Sequence, residues 1–236
     1  MSRLVRAELL KVRTVRTFLW IALANVALVL ITAISVAASE SVIHGPEDDR
    51  AVAHIAAVAI VLALISGIVV MGGEAKHGTI TQTLLVTPVR ESVLLVKAAV
   101  AAVIGLALAV LAEALVLAIT IPGAGLDVDN ARLALVGILI AAALAGALGA
   151  GLGAVVHAQG AAITISLVWL LVGENLVAVI SDSATKHTPG RTFAALASGE
   201  RTGGDLLGMG TGAVGAGVWT ALFLAAGLLA FLGRDV

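Results

Sequence analysis

Long apolar runs separated by short polar breaks dominate the chain, and their lengths set the fold. A helix needs roughly 20 apolar residues to cross a hydrocarbon core about 30 Å thick. Six runs reach that length, at about 17–38, 51–72, 98–121, 133–155, 161–180 and 209–232. The third and fourth are parted by the turn sequence Pro122-Gly123-Ala124-Gly125, the fourth and fifth only by His157-Ala158-Gln159-Gly160. That second break is short, so five spans with one long bent helix is the alternative. The pattern predicts an all-α, polytopic integral membrane protein of about six spans, with residues 1–236 forming one transmembrane domain.

Composition agrees. Hydrophobic residues make up 60% of the chain and charged residues 12%, against about 25% charged in an ordinary soluble domain. So few charges cannot cover a water-facing surface. There is no cysteine, which excludes disulfides and thiolate metal sites. The first apolar run is long enough to span and no small-residue cleavage site follows it, so it reads as a retained span, not a cleaved signal.

Basic residues near span ends predict orientation. With the N-terminus inside, Arg3, Arg6, Lys11, Arg13, Arg16, Lys76, Arg90, Lys97 and Arg234 are cytoplasmic. Only Arg50, Arg132, Lys186, Arg191 and Arg201 are then outside, together with most of the loop acids. The expected topology is N-in and C-in.

Residues 2–16 are short and basic. At 100° per residue, Arg3, Arg6, Arg13 and Arg16 fall within about 140° of one helix face, with Leu4, Val5, Val12 and Val15 opposite. Such a helix can lie in the inner membrane interface, although the same charges also serve as a plain topology signal. The segment 73–97, GEAKHGTITQTLLVTPVRESVLLVK, is too long and polar for a simple turn. A short helix over 79–86 would carry Ile80, Leu84 and Leu85 on one side and form a docking element; a solvated loop is the alternative. Thr87-Pro88 suits the start of the next helix, with Glu91 near its positive end. On the outer side, residues 181–207 contain the apolar run Phe193-Ala194-Ala195-Leu196-Ala197, which suits two short helices dipping partly into the membrane. The acidic cluster Glu47-Asp48-Asp49 reads as a solvated loop.

Small residues predict close helix packing: Gly149 and Gly153 form one GxxxG pair and Gly208 and Gly212 another, within one chain or between two. Ionisable residues at depth tend to be paired or functional. Glu113 and Glu174 are of this kind, with Asn175 beside the second and Asn25 a weaker case. Glu174 is the stronger candidate, either for a pathway residue or for a hydrogen bond to a neighbouring helix.

Own catalysis is not expected. There is no phosphate-binding GxxxxGK[ST] loop and no GxSxG elbow. The five histidines show no metal-ligand spacing. Basic residues hug the membrane ends without interleaved aromatics, which argues against nucleic acid.

The opening RAELLKVRTVRTFLW resembles the start of permease subunits of type-2 ATP-binding-cassette (ABC) exporters, and so does EAKHGTITQTLLVTPVRESVLLVKAAV after the second span. The shared features are Glu74, Gly78-Thr79, Pro88-Val89-Arg90 and Lys97. The fifth span, with Trp169 and Glu174-Asn175, resembles the actinobacterial branch; the Gly-rich sixth span departs from the family. The resemblance implies a bacterial plasma-membrane permease that pairs with a second copy or paralogue. It would dock a separate ABC ATPase through a coupling helix, with Glu74, Gly78, Thr79, Thr83, Leu84, Thr87, Pro88 and Arg90 at the contact. ATP and Mg²⁺ would sit on that partner, and this chain would bind no cofactor itself. The implied cargo is a drug, peptide or lipid-like molecule. A non-transport scaffold or sensor, or an intramembrane enzyme using Glu113 or Glu174, are the competing readings.

Overall fold

A computed structural model describes residues 2–38, 45–77, 89–156, 158–202, 204 and 206–233. Every regular element among them is helical. Lipid offers no partner for backbone N–H and C=O groups, so a spanning segment must satisfy its own. The elements are α1 (Ser2–Thr14), α2 (Arg16–Ala38), α3 (Pro46–Ala53), α4 (Val58–His77), α5 (Arg90–Ala124), α6 (Val128–Val155), α7 (Gln159–Val168), α8 (Glu174–Ile180), α9 (Asp182–Thr185), α10 (Pro189–Ser198) and α11 (Met209–Leu232). A 3₁₀ turn, His54–Ala57, joins α3 to α4, and a π-helical turn, Trp169–Gly173, joins α7 to α8.

Six helices are long and apolar enough to cross a membrane: Arg16–Ala38, Glu47–Gly73, Arg90–Ala124, Val128–Val155, Gln159–Ile180 and Met209–Leu232. The chain is a polytopic, helical membrane protein. The five-span alternative fails, because α6 ends at Val155 and Val156 and Ala158 are extended.

Two spans begin earlier than hydropathy predicts. The second starts within the acidic stretch, where Glu47, Asp48 and Asp49 occupy the first turn of α3, a favourable place for acids at the positive helix end. The third starts at Arg90 with Glu91 in its first turn. Its 35 residues are about 50 Å long, well beyond the ~30 Å core. It also ends later than expected. Pro122 and Gly123 are helical, although proline there removes one backbone donor and crowds the carbonyl four residues back. The reversal falls on Gly125 alone, at φ 75°. There the N–H groups of Gly125 and Leu126 fold back onto the Thr120 carbonyl.

The fourth span is the hub: 61% of its apolar window is buried, against 17% for the first span and 11% for the fifth. Glycine makes this possible. A Cβ on Gly149 would stand 2.2 Å from the Leu64 carbonyl oxygen, on Gly146 2.3 Å from that of Ala101, and on Gly151 2.6 Å from that of Phe223. One helix thus presses its backbone against the second, third and sixth spans, as small faces allow in lipid. The Gly149/Gly153 pair packs within the chain against Leu64, Ile68 and Met71 of the second span. The core around it is mainly alanine, with Ile68, Leu108, Val116 and Ile138.

Candidate functional site

Three polar constellations interrupt this apolar bundle. The first lies where α1 meets the base of the third span. Lys97 Nζ stands 3.0 Å from Glu8 Oε2 and 3.4 Å from the Val70 carbonyl oxygen. Lys11 closes on the other carboxylate oxygen at 2.7 Å. The face α1 turns inward therefore includes an acid, not only the apolar stripe its periodicity implies. Arg6, Arg13 and Arg16 are exposed as expected, but so are Val15 and Leu10. Glu8 is the only acid in a basic segment, and nothing else in the sequence points to it.

Nearby, the half-buried Arg90 donates to the carbonyl oxygens of Phe231 at 3.0 Å and Leu232 at 3.3 Å. These are among the last carbonyls of α11, which lack intrahelical partners, and a cation there also answers the helix dipole. Of the predicted ATPase-contact residues, Gly78, Thr79, Thr83, Leu84, Thr87 and Pro88 lie outside the described residues. Glu74 falls in the last turn of α4. The two helices flanking that segment end and begin on the side that carries α1.

The second constellation is within the bundle. Asn25 is wholly buried and donates to the Leu108 carbonyl oxygen at 3.1 Å, tying the first span to the third. Among the described residues, its own side-chain oxygen and Oε1 of the buried Glu113 have no hydrogen-bond partner.

The third lies at the opposite ends of the spans. Glu174, 5% exposed, accepts the Gly190 N–H through Oε1, with Thr188, Trp169 and Arg191 around its carboxylate. Gly190 is in the first turn of α10, whose N–H groups have no helical acceptor. Glu174 therefore acts as a cap supplied from another helix. The π turn just before it inserts one residue and shifts the helix phase: the Glu174 N–H bonds the Trp169 carbonyl, five residues back. Glu174 then faces α10, while the neighbouring Asn175 is exposed and donates back to the Leu171 carbonyl at 2.7 Å. Such π turns are frequent at functional sites. Glu113 and Glu174 are engaged differently: one has a buried oxygen with no partner among the described residues and the other accepts from Gly190.

Residues 181–207 contain the two expected short helices, α9 and α10. They are fixed further by Trp219 Nε1, which donates to the His187 carbonyl at 2.9 Å, and by Lys186 Nζ to the Gly204 carbonyl at 2.6 Å. On the same side Asp49 is 3% exposed and accepts from the Asp127 N–H at 2.9 Å and from Asn130 Nδ2 at 2.8 Å. The acidic stretch is thus only partly solvated: Glu47 and Asp48 are exposed, and Asp49 ties the second span to the start of the fourth. Beneath α10 lies a cavity of about 220 Å³ between the second, fourth and fifth spans.

No family model and no curated protein matches the chain.

Proposed function

We propose that the chain is the membrane subunit of an ABC exporter, driven by ATP hydrolysed on a separate nucleotide-binding chain. The observation that supports this best is the junction at Lys97. There α1, the end of the second span and the start of the third are gripped by one buried cation. The segment proposed to carry the ATPase contact joins those same two spans. Force applied to it would reach both spans and α1 together, which is what coupling to an external motor requires. By its sequence resemblance the motor would be an ABC ATPase carrying ATP and Mg²⁺, and the assembly would sit in a bacterial plasma membrane.

In this reading two permease copies or paralogues pair around the pathway, the termini are cytoplasmic, and α9 and α10 form an outer lid anchored by Glu174. The cargo class stays broad: a drug, peptide or lipid-like molecule. The chain itself carries out no catalysis.

The test is recovery of an ATP-binding subunit under gentle solubilisation. Co-purification that is lost when Glu74→Lys and Arg90→Glu are combined, in a chain that remains folded, supports the assignment. Labelling that places residues 78–88 on the extracellular surface defeats it. A membrane scaffold or sensor remains the second reading; it accounts for the basic N-terminus and small faces but gives the junction at Lys97 no task.

A further inference from the structure

The cavity under α10 has the chemistry of a lipid-tail site. It is a cleft, not a sealed void, and its walls are almost wholly apolar, with His54 the one titratable side chain among the described residues that line it. Water needs two to four polar partners to occupy an enclosed site, and an apolar cavity of about 150 Å³ stays dry yet takes up benzene. At about 220 Å³ this one has more room and equally little to offer water. Leaving it empty forfeits dispersion contacts along its whole lining.

Its position selects the occupant. The wall supplied by the second span runs from His54 to Leu64, ten residues or about 15 Å along the axis. That is half of the ~30 Å hydrocarbon thickness, the depth one leaflet's chains occupy. Small side chains, Ala57 on one wall and Ala194 on the other, keep the space open, and Leu64 and Leu148 line it at mid-span depth. The lid over it is held in place, because Gly190 both lines the cavity and receives the Glu174 cap.

We propose that this cleft holds one acyl chain of a membrane phospholipid, inserted tail-first with its headgroup at the His54 end. The site lies inside a single chain and does not depend on a partner ATPase or a second permease. The tail completes the packing among the second, fourth and fifth spans and α10, making the lid's seating responsive to lipid.

The experiment uses the full-length protein in phosphatidylcholine nanodiscs containing a trace of phosphatidylcholine with a diazirine near the end of one acyl chain. After irradiation, labelled peptides are mapped by mass spectrometry. Expected is labelling at Leu64, Leu148 or Phe193 in addition to lipid-facing positions such as Leu19 and Val179. Filling the cleft with Ala57→Leu or Ala194→Leu, on two different helices, should abolish the first set and leave the second unchanged. Both variants are checked for a monodisperse size-exclusion profile. Lining positions that stay unlabelled in the wild-type protein, or that label equally in a folded filled variant, overturn the proposal. If neither variant folds, the wild-type map alone decides. Loss of an associated ATPase would leave this result untouched, so the two readings fail separately.

Discussion

Glu8 and Lys97 are 89 residues apart in sequence and form an ion pair in which the acid is 3% and the base 1% exposed. A buried pair of this kind is held by mutual neutralisation, but the two members are not equally exposed to its loss: without Lys97 the Glu8 carboxylate keeps Lys11, whereas without Glu8 the Lys97 ammonium loses its carboxylate partner and keeps the Val70 carbonyl. Glu8→Gln should therefore destabilise the protein by up to about 3–5 kcal/mol and Lys97→Met by less, with the double substitution milder than the worse single one. Lys11, which shares the Glu8 carboxylate, is exposed enough that Lys11→Ala should change stability by about 1 kcal/mol or less. Thermal unfolding of the four purified variants in one detergent checks the order.

Glu174 and Glu113 should separate on substitution. Glu174→Gln alters the acceptor of the Gly190 N–H and removes the carboxyl beside Arg191, loosening α10. Glu113→Gln keeps the volume of a side chain whose Oε1 has no partner among the described residues. A hydrogen bond such as that from Gly190 contributes about 0.5–1.5 kcal/mol, so Glu174→Ala should expose the α10 backbone to hydrogen exchange while the spans stay protected. In a transport assay Glu174→Gln should impair export more than Glu113→Gln; equal export by both would refute the ranking.

Glycine positions give a clean contrast. Gly149→Ala places a methyl 2.2 Å from the Leu64 carbonyl oxygen, which forces the second and fourth spans apart, and overpacking of this sort costs about 1–3 kcal/mol or more. Gly217→Ala meets nothing within 4 Å and gains about 1 kcal/mol of helix propensity. Lower recovery of monodisperse protein for the first and equal or higher recovery for the second is expected.

Arg90 has two jobs to disentangle. Because it closes the last carbonyls of α11, Arg90→Glu puts an anion at a negative helix end, an effect of about 0.3–1 kcal/mol, besides altering any ATPase contact. Arg90→Gln keeps donors without charge. Retention of the fold by Arg90→Gln together with loss of a co-purifying ATPase assigns Arg90 to the partner; loss of the fold assigns it to the helix end. Unfolding temperature and pull-down, read on the same preparation, decide between them.

The spans were legible because lipid thickness imposes a minimum apolar length, and no soluble helix has that constraint. Their ends were not. Glu47 to Arg50 and Arg90 to Val96 are helical beyond the apolar window, and hydropathy is blind to a helix that continues into water or against another helix. Glu174 stood out as an acid in an apolar context, but its partner Gly190 lies in the first turn of a short helix whose position against the fifth span no periodicity encodes. Glu8 was hidden for the same reason: its meaning lies in Lys97, and one-dimensional spacing carries nothing about that distance. The widened turn at Trp169–Gly173 leaves no compositional mark in the sequence WLLVG. Gly149 was visible as a small face, and only the fold shows which neighbour it admits.

The uneven burial of the helices has a mechanical corollary. Glycine lets the backbones of the second, third, fourth and sixth helices wedge against one another, so shifting any of these four disturbs its neighbours. The fifth, with 11% of its apolar window buried, takes no part in those glycine-to-carbonyl contacts among the described residues. It is tied to the rest chiefly through the Glu174 cap, so that one bond is the latch between a wedged keel and its peripheral arm.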